Sequence, residues 1–173
     1  MTGRTFDQEL TRRVIRPLEL TNTALPADPG ISGRHPVHYS TLFSQDPEPT
    51  IHDATEMDQS FGWAAGGIVS TTGDLHRFFA ALLGGRLLPP AQQHELVTTV
   101  PTANWIPDTR YGLGIFTQTL PDGTTVWGNG GATYGSWTYA MGTQDGTHLL
   151  TSNINGDWSG LGPFADLLAA EFC

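Results

Sequence analysis

Between Arg110 and Asn155, runs of β-branched and aromatic residues alternate with two Asp-Gly pairs, Asp122-Gly123 and Asp145-Gly146. An Asp-Gly pair between such runs is the strongest short-range signal for a β-hairpin. A two-residue primed turn needs positive φ, which glycine takes without a Cβ clash and aspartate tolerates. Residues 111–120, 124–129, 136–141 and 148–154 therefore read as consecutive antiparallel strands, an up-and-down sheet of about four strands over 110–155. The connection over 128–135 is of another kind. Gly128, Gly130, Gly131 and Gly135 leave its backbone open to close approach. From the residues alone it is either a bend without function or the rim of a binding groove.

The remaining periodic segments read as helices. Thr5 and Gln8 have the spacing of a capping box, and Phe6, Leu10 and Val14 recur at i, i+4 and i+8, so a helix is expected over 5–16, closed by Pro17. Asp7 and Glu9 near its start and Arg12, Arg13 and Arg16 near its end complement the helix dipole. Residues 25–61 have no period and contain Pro26, Pro29, Pro36, Pro47 and Pro49, which predicts a long loop. Its His35, His38, His52 and Asp53 match no metal-ligand spacing and read as solvated, so no metal site is expected. Further helices are expected over 72–83 (Leu75, Phe78, Phe79 and Leu82 before Gly84-Gly85), over 90–97 (Pro90 at the first position) and over 163–172. The last carries Phe164, Leu167, Leu168 and Phe172 on one side. The fold class is α+β, an antiparallel meander sheet flanked by helices.

Composition removes several chemistries. A chain of 173 residues can bury one core, and its net charge of −9 argues against a nucleic-acid partner. No apolar run approaches the ~20 residues of a membrane span. Arg4, Asp7, Glu9, Arg12 and Arg13 interrupt any signal-peptide core, so the sequence assigns no compartment. All eight basic residues are arginine. Without lysine these residues cannot form a Ser-x-x-Lys pair, a Schiff base or a Walker loop. No serine has glycine at both −2 and +2, which excludes a nucleophile elbow. Cys173, alone and terminal, cannot make an internal disulfide or a paired-thiolate zinc site. The glycines at 128–131 do not make a dinucleotide fingerprint, because a strand follows them rather than a helix, and no cofactor is expected. Serine, histidine and aspartate suffice in number for a triad, but no spacing singles one out.

Three stretches together resemble one family. Gly3-Arg4-Thr5-Phe6 with Val14-Ile15-Arg16-Pro17-Leu18-Glu19-Leu20-Thr21-Asn22-Thr23 is similar to the helix and P-L-G-M-x-x-T segment of the class C β-lactamase and D-Ala-D-Ala carboxypeptidase family. Ala65-Gly66-Gly67-Ile68-Val69-Ser70-Thr71-Thr72-Gly73-Asp74-Leu75 resembles its A-G-G-L-x-S-T-x-x-D-L stretch. Tyr111-Gly112-Leu113-Gly114, followed by Trp127-Gly128-Asn129-Gly130-Gly131, resembles its Y-G-L-G-W…G-H-T-G strands. The order is the family's, over nearly the whole chain.

The resemblance implies the C-terminal portion of a serine hydrolase that works through an acyl-enzyme on a peptide, β-lactam or ester, with residues 1–173 as a partial domain. The family's Ser-x-x-Lys and Tyr-x-Asn motifs fall upstream of this chain, so the missing N-terminal half is an expected partner and the chain alone is expected to be inactive. Its Lys/His-Thr-Gly motif aligns with Asn129-Gly130-Gly131, where a neutral amide replaces the cationic or titratable group. The backbone N–H of Ala132 falls at the second oxyanion donor, a role that survives side-chain change. Phe61 and Trp63 fall where the family places aromatic residues near its cleft. The expected ligand is a small or peptide-like substrate bound by Asn129, Gly130, Gly131, Phe61 and Trp63. The alternative is a non-catalytic relic that binds a ligand or partner.

Overall fold

A computed structural model describes residues 2–58 and 60–173; Met1 and Gln59, the latter within the expected loop 25–61, lie outside the described residues. The helices are α1 (Phe6–Leu10), α2 (Trp63–Gly66), α3 (Thr72–Leu83), α4 (Pro90–Val97) and α5 (Gly162–Phe172). The strands are β1 (Tyr39–Ser40), β2 (His52–Asp53), β3 (Val100–Pro101), β4 (Thr109–Tyr111), β5 (Phe116–Thr119), β6 (Thr125–Thr133), β7 (Ser136–Gly142) and β8 (Leu149–Ile154). Strands β3 to β8 form one six-stranded sheet in sequence order, and β1 and β2 form a separate pair. The fold is the expected α+β meander. It has six strands where about four are expected: β3 is added, and the single strand expected over 111–120 is broken at the turn 112–115 into β4 and β5, where Gly112 donates to the Ile115 carbonyl at 2.8 Å and Gly114 takes positive φ. Among the described residues no helix is long and apolar enough to cross a membrane.

Both Asp-Gly pairs lie at hairpin tips, but neither forms the expected two-residue primed turn. Gly123 donates to the Leu120 carbonyl at 2.9 Å and Leu120 to the Thr124 carbonyl at 2.7 Å, with positive φ at Gly123 and not at Asp122. This is a type I turn followed by a left-handed glycine. Pro121 is the reason: its ring fixes φ at the second turn position, so the turn starts one residue earlier. Asp122 serves through its side chain, accepting the Thr124 N–H at 2.8 Å and hydroxyl at 2.9 Å. At the second tip Gly146 donates to Thr143, and Asp145 accepts from the Thr143 hydroxyl and the Thr147 N–H.

The chain divides into two compact units, one of Met1–Asp74, Gly131–Thr138 and Asn153–Gly160, the other of Leu75–Gly130, Tyr139–Ser152 and Leu161–Cys173. The second unit is built by apolar packing. Leu83, Leu96 and Ile115 form a buried cluster, with Leu82, Leu88, Val97, Trp127 and Leu149 packed against it. A second column stacks Phe164 on Tyr139 at 5.0 Å and sets Tyr139 edge-on to Phe116. Burial pushes the Tyr139 hydroxyl up to about 12. On α5 only Phe164 and Leu168 of the expected stripe are fully buried, while Leu167 is exposed, because residues i and i+4 face the sheet and i+3 falls at the margin.

The first unit opens with the expected capping box, Thr5 Oγ1 taking the Gln8 N–H at 3.3 Å and Gln8 Oε1 the Thr5 N–H at 3.2 Å. After Leu10 the helix loosens into a π-helical turn, Thr11–Ile15. Arg12 and Arg13 lie on a solvated face and are paired there. Both grip Glu9 one turn back and hold its carboxyl down to about 2. The stretch expected to be a loop contains the β1–β2 pair and a parallel bridge from Tyr39 to Gly156.

Candidate functional site

Strand β6 carries every residue of the expected motif, and its glycines do different work. A Cβ on Gly128 would run into the Ala140 carbonyl of β7, so that glycine exists for the neighbouring strand. A Cβ on Gly131 would meet nothing within 4 Å. The open backbone is therefore at Gly131 and Ala132, both exposed.

Within the second unit, the Asn129 side chain turns back onto the protein. Its Nδ2 donates to the Gly114 carbonyl at 2.7 Å, and its Oδ1 accepts the Gly130 N–H at 2.7 Å. These partners fix the amide orientation, since a carbonyl can only accept and an N–H only donate. Asn129 ties β6 to the Gly112–Ile115 turn and keeps one amide N–H beyond these bonds.

The first unit holds the far end of β6, Gly131–Thr133, and the two-residue connection Tyr134–Gly135 into β7. Gly135 takes a φ of 75°, and a Cβ there would come within 3.0 Å of the His38 Cβ and 3.2 Å of the Ala54 Cβ. Tyr134 is the centre of an aromatic group, 5.3 Å from the Phe43 ring and 5.9 Å from the Phe61 ring. Phe43 and Phe61 are 46% and 68% exposed, so this surface can receive a ligand. The two aromatics named from sequence part company. Phe61 joins Tyr134, two residues from Ala132, whereas the Trp63 ring lies 5.5 Å from Phe6 of α1.

The sequence reading did not find Asp157. This carboxylate, 4% exposed, accepts from the Ser40 hydroxyl, the Thr41 N–H at 3.0 Å, the Thr41 hydroxyl at 3.2 Å and the Gly135 N–H at 3.1 Å. Its backbone carbonyl takes the Trp137 indole N–H at 2.8 Å. Burial pushes the carboxyl up, but the bonds from Ser40, Thr41 and Gly135 outweigh it and hold Asp157 below the usual carboxylate range. These partners lie 22 to 117 positions away, beyond any local pattern. Ser40 beside Asp157 is no nucleophile: it is fully buried, and its proton is already given to the carboxylate.

The two N-terminal family-like segments are scaffold. Asp74 Oδ2 accepts the Asn22 N–H at 2.9 Å and the Thr23 hydroxyl at 2.8 Å, Thr23 meets Ser70 at 2.8 Å, and Ala24 bridges Val69. Asp74 also donates its N–H to Thr71 Oγ1, which caps α3. The motif residues thus join the turn after α1 to the start of α3.

A Streptomyces sp. D-stereospecific amidohydrolase matches with 37% identity and a TM-score of 0.91 over 99% of this chain and 49% of its own. The D-amino acid amidase of Ochrobactrum anthropi SV3, in complex with D-phenylalanine, matches at 22% identity and a TM-score of 0.76, covering 98% of this chain and 53% of that one. A penicillin-binding protein from Bacillus halodurans matches at 16% identity and a TM-score of 0.77, over 98% and 51%. At these last two identities the likeness is one of fold. The chain spans about half the length of these structures. The family model described as Beta-lactamase matches residues 1–168, and the chain belongs to that family.

Proposed function

We propose that this chain forms the substrate-binding wall of a serine hydrolase that cleaves amide bonds in D-amino-acid derivatives through an acyl-enzyme. The observation that carries the reading is the exposed strand end at Gly131 and Ala132, next in the chain to the aromatic group around Tyr134. Ala132 offers its backbone N–H to the oxyanion as the substrate carbonyl becomes tetrahedral; a backbone donor in a strand is preorganised, so little reorganisation opposes it. Gly131, where a Cβ would find open space, lets an extended substrate lie along the strand. Asn129 and Gly130 hold the strand in place, and the spare amide N–H of Asn129 is available to a substrate carbonyl or carboxylate. Phe61 and Tyr134 contact the substrate side chain, while Trp63, whose ring packs on Phe6 of α1, takes no part in that contact.

The attacking serine and its lysine base come from outside these residues, because the 173 contain no lysine. The D-amide class is favoured by the 37% identity to a D-stereospecific amidohydrolase. Intact-mass analysis after incubation with a fluorescent penicillin and with D-phenylalanine p-nitroanilide tests the assignment. No adduct is expected on this chain alone, and one is expected on a co-expressed Ser-x-x-Lys segment. An adduct on a serine among these 173 residues would refute it.

A further inference from the structure

We propose that Asp157 is a positioning residue that builds the aromatic wall beside Ala132, an inference that rests on the reading of this strand end as substrate-facing. Its carboxylate joins the two segments that supply the wall. On one side it takes the Gly135 N–H at 3.1 Å, and the Gly135 carbonyl accepts from His38 Nδ1 at 3.0 Å. A carbonyl has no proton to give, so Nδ1 carries it, and the Gly135 residue is held through both its N–H and its C=O. That fixes Tyr134, the residue before it. On the other side the carboxylate takes the Ser40 hydroxyl and both donors of Thr41, and Ser40 Oγ in turn accepts the Leu42 N–H at 2.8 Å.

Leu42 and Phe43 follow with φ of 55° and 54°, a left-handed conformation unfavourable for any residue with a Cβ. Two such residues in succession persist only where the surroundings over-determine them. The bonds on Asp157 and Ser40 are those surroundings, and their result is a half-exposed Phe43 ring against Tyr134. A carboxylate buried for stability alone is a poor choice, since apolar replacements of buried charge are often neutral or better. The strained pair turned toward solvent gives Asp157 its purpose.

The test uses the 173-residue chain, with proton NMR contacts between rings and amide exchange as readouts. In Asp157→Asn, close in size but without charge, the Phe43–Tyr134 ring contact is expected to vanish. Gly135 is expected to exchange at least about tenfold faster, while the Tyr139–Phe164 contact in the other unit persists. A folded Asp157→Asn with the Phe43–Tyr134 contact and the Gly135 rate intact overturns the proposal. Should Asp157→Asn not fold, Ser40→Ala keeps the carboxylate and removes the group holding Leu42. Loss of the Phe43 contact with Gly135 still protected is then expected, and an unmoved Phe43 overturns it. D-phenylalanine amide, titrated into both proteins, reads the functional side: its Kd is expected to rise about tenfold in Asp157→Asn, with partial rescue in Asp157→Glu. Unchanged affinity once the ring contact is lost overturns the positioning role. If the parent chain does not bind the amide, the substrate reading fails and the ring-contact result still decides what Asp157 does.

Discussion

The two units carry backbone strain differently. In Leu75–Gly130, Tyr139–Ser152 and Leu161–Cys173, the non-glycine residues with positive φ among the described residues are Asn104 and Asp108. Those are the types that reach the left-handed region most easily. In the unit containing Gly131–Thr138 they are Glu19, Leu42, Phe43 and Trp63, all of which resist it. The second unit has an apolar core and turn residues suited to their turns, and its local preferences agree with its fold. In the first, the left-handed pair Leu42–Phe43 follows side chain-to-backbone bonds that cross long stretches of sequence. Strain of this kind collects where a surface must be shaped for something other than stability, and the strained residues include Phe43, on the face of the proposed wall.

Phe164→Ala has the largest expected effect. Phe164 is 1% exposed and stacks on Tyr139, so truncation should cost about 3–5 kcal/mol in urea unfolding. A loss below about 1 kcal/mol would mean that packing does not hold this unit. Asp157→Ala should cost roughly 2–3 kcal/mol by leaving buried donors unpaired, and residue-level hydrogen exchange should confine the loss to the first unit. A loss spread across both units would mean that the two are not held together by different means.

The same carboxylate predicts a pH dependence. Its folded pKa lies below the ordinary value, so the unfolded chain takes up the proton first as pH falls. The stabilisation is fully present above the unfolded carboxylate value of about 4 and is lost as pH drops through the lower folded value. Asp157→Asn should flatten the stability profile of the parent chain below about pH 4. An identical profile in both would show that the carboxylate is not what titrates. Two alanine substitutions in β6 then compare strand packing with open backbone. Gly128→Ala forces a methyl into the Ala140 carbonyl and should cost about 1–3 kcal/mol. Gly131→Ala should change stability by less than about 0.5 kcal/mol while weakening D-phenylalanine amide binding, because its methyl enters the space assigned to substrate.

What could be read in advance follows the same division. α3 spans the residues that the spacing of Leu75, Phe78, Phe79 and Leu82 predicts, although of these four only Phe79 is fully buried, with Ala81 and Leu83 beside it, and the capping box at Thr5 forms as its spacing requires. These signals are local and repeat with the period of the element. The Asp-Gly pairs mark both hairpin tips but mislead on turn type: at the first Pro121 acts on the pair from outside it, and at the second Asp145 accepts from the Thr143 hydroxyl and the Thr147 N–H instead of taking positive φ. The proposed wall is half legible: Phe61 can be named by resemblance, Tyr134 and Phe43 cannot. Asp157 ties the segments that carry Tyr134 and Phe43 through its bonds to Gly135, Ser40 and Thr41, the last two more than a hundred positions away, and no periodicity records such a bond.

One small effect has the least expected sign. In the segment Pro17-Leu18-Glu19-Leu20 the family pattern P-L-G-M has glycine where this chain has Glu19, and Glu19 keeps the left-handed backbone at φ 53°. A residue with a Cβ costs about 1–2 kcal/mol there, and glycine removes that cost. Glycine also loses more freedom on folding, an opposing cost of roughly 0.5–1 kcal/mol. Glu19→Gly should therefore stabilise the protein by about 0.5–1 kcal/mol, read as a rise in Tm, although it deletes a side chain and adds no contact. The matching exchange in the second unit, Asp108→Gly at φ 56°, should yield less, because aspartate already tolerates that conformation. Equal gains at the two sites would mean that the strain in the first unit is no greater than in the second, and strain would no longer single out the unit that holds the proposed wall.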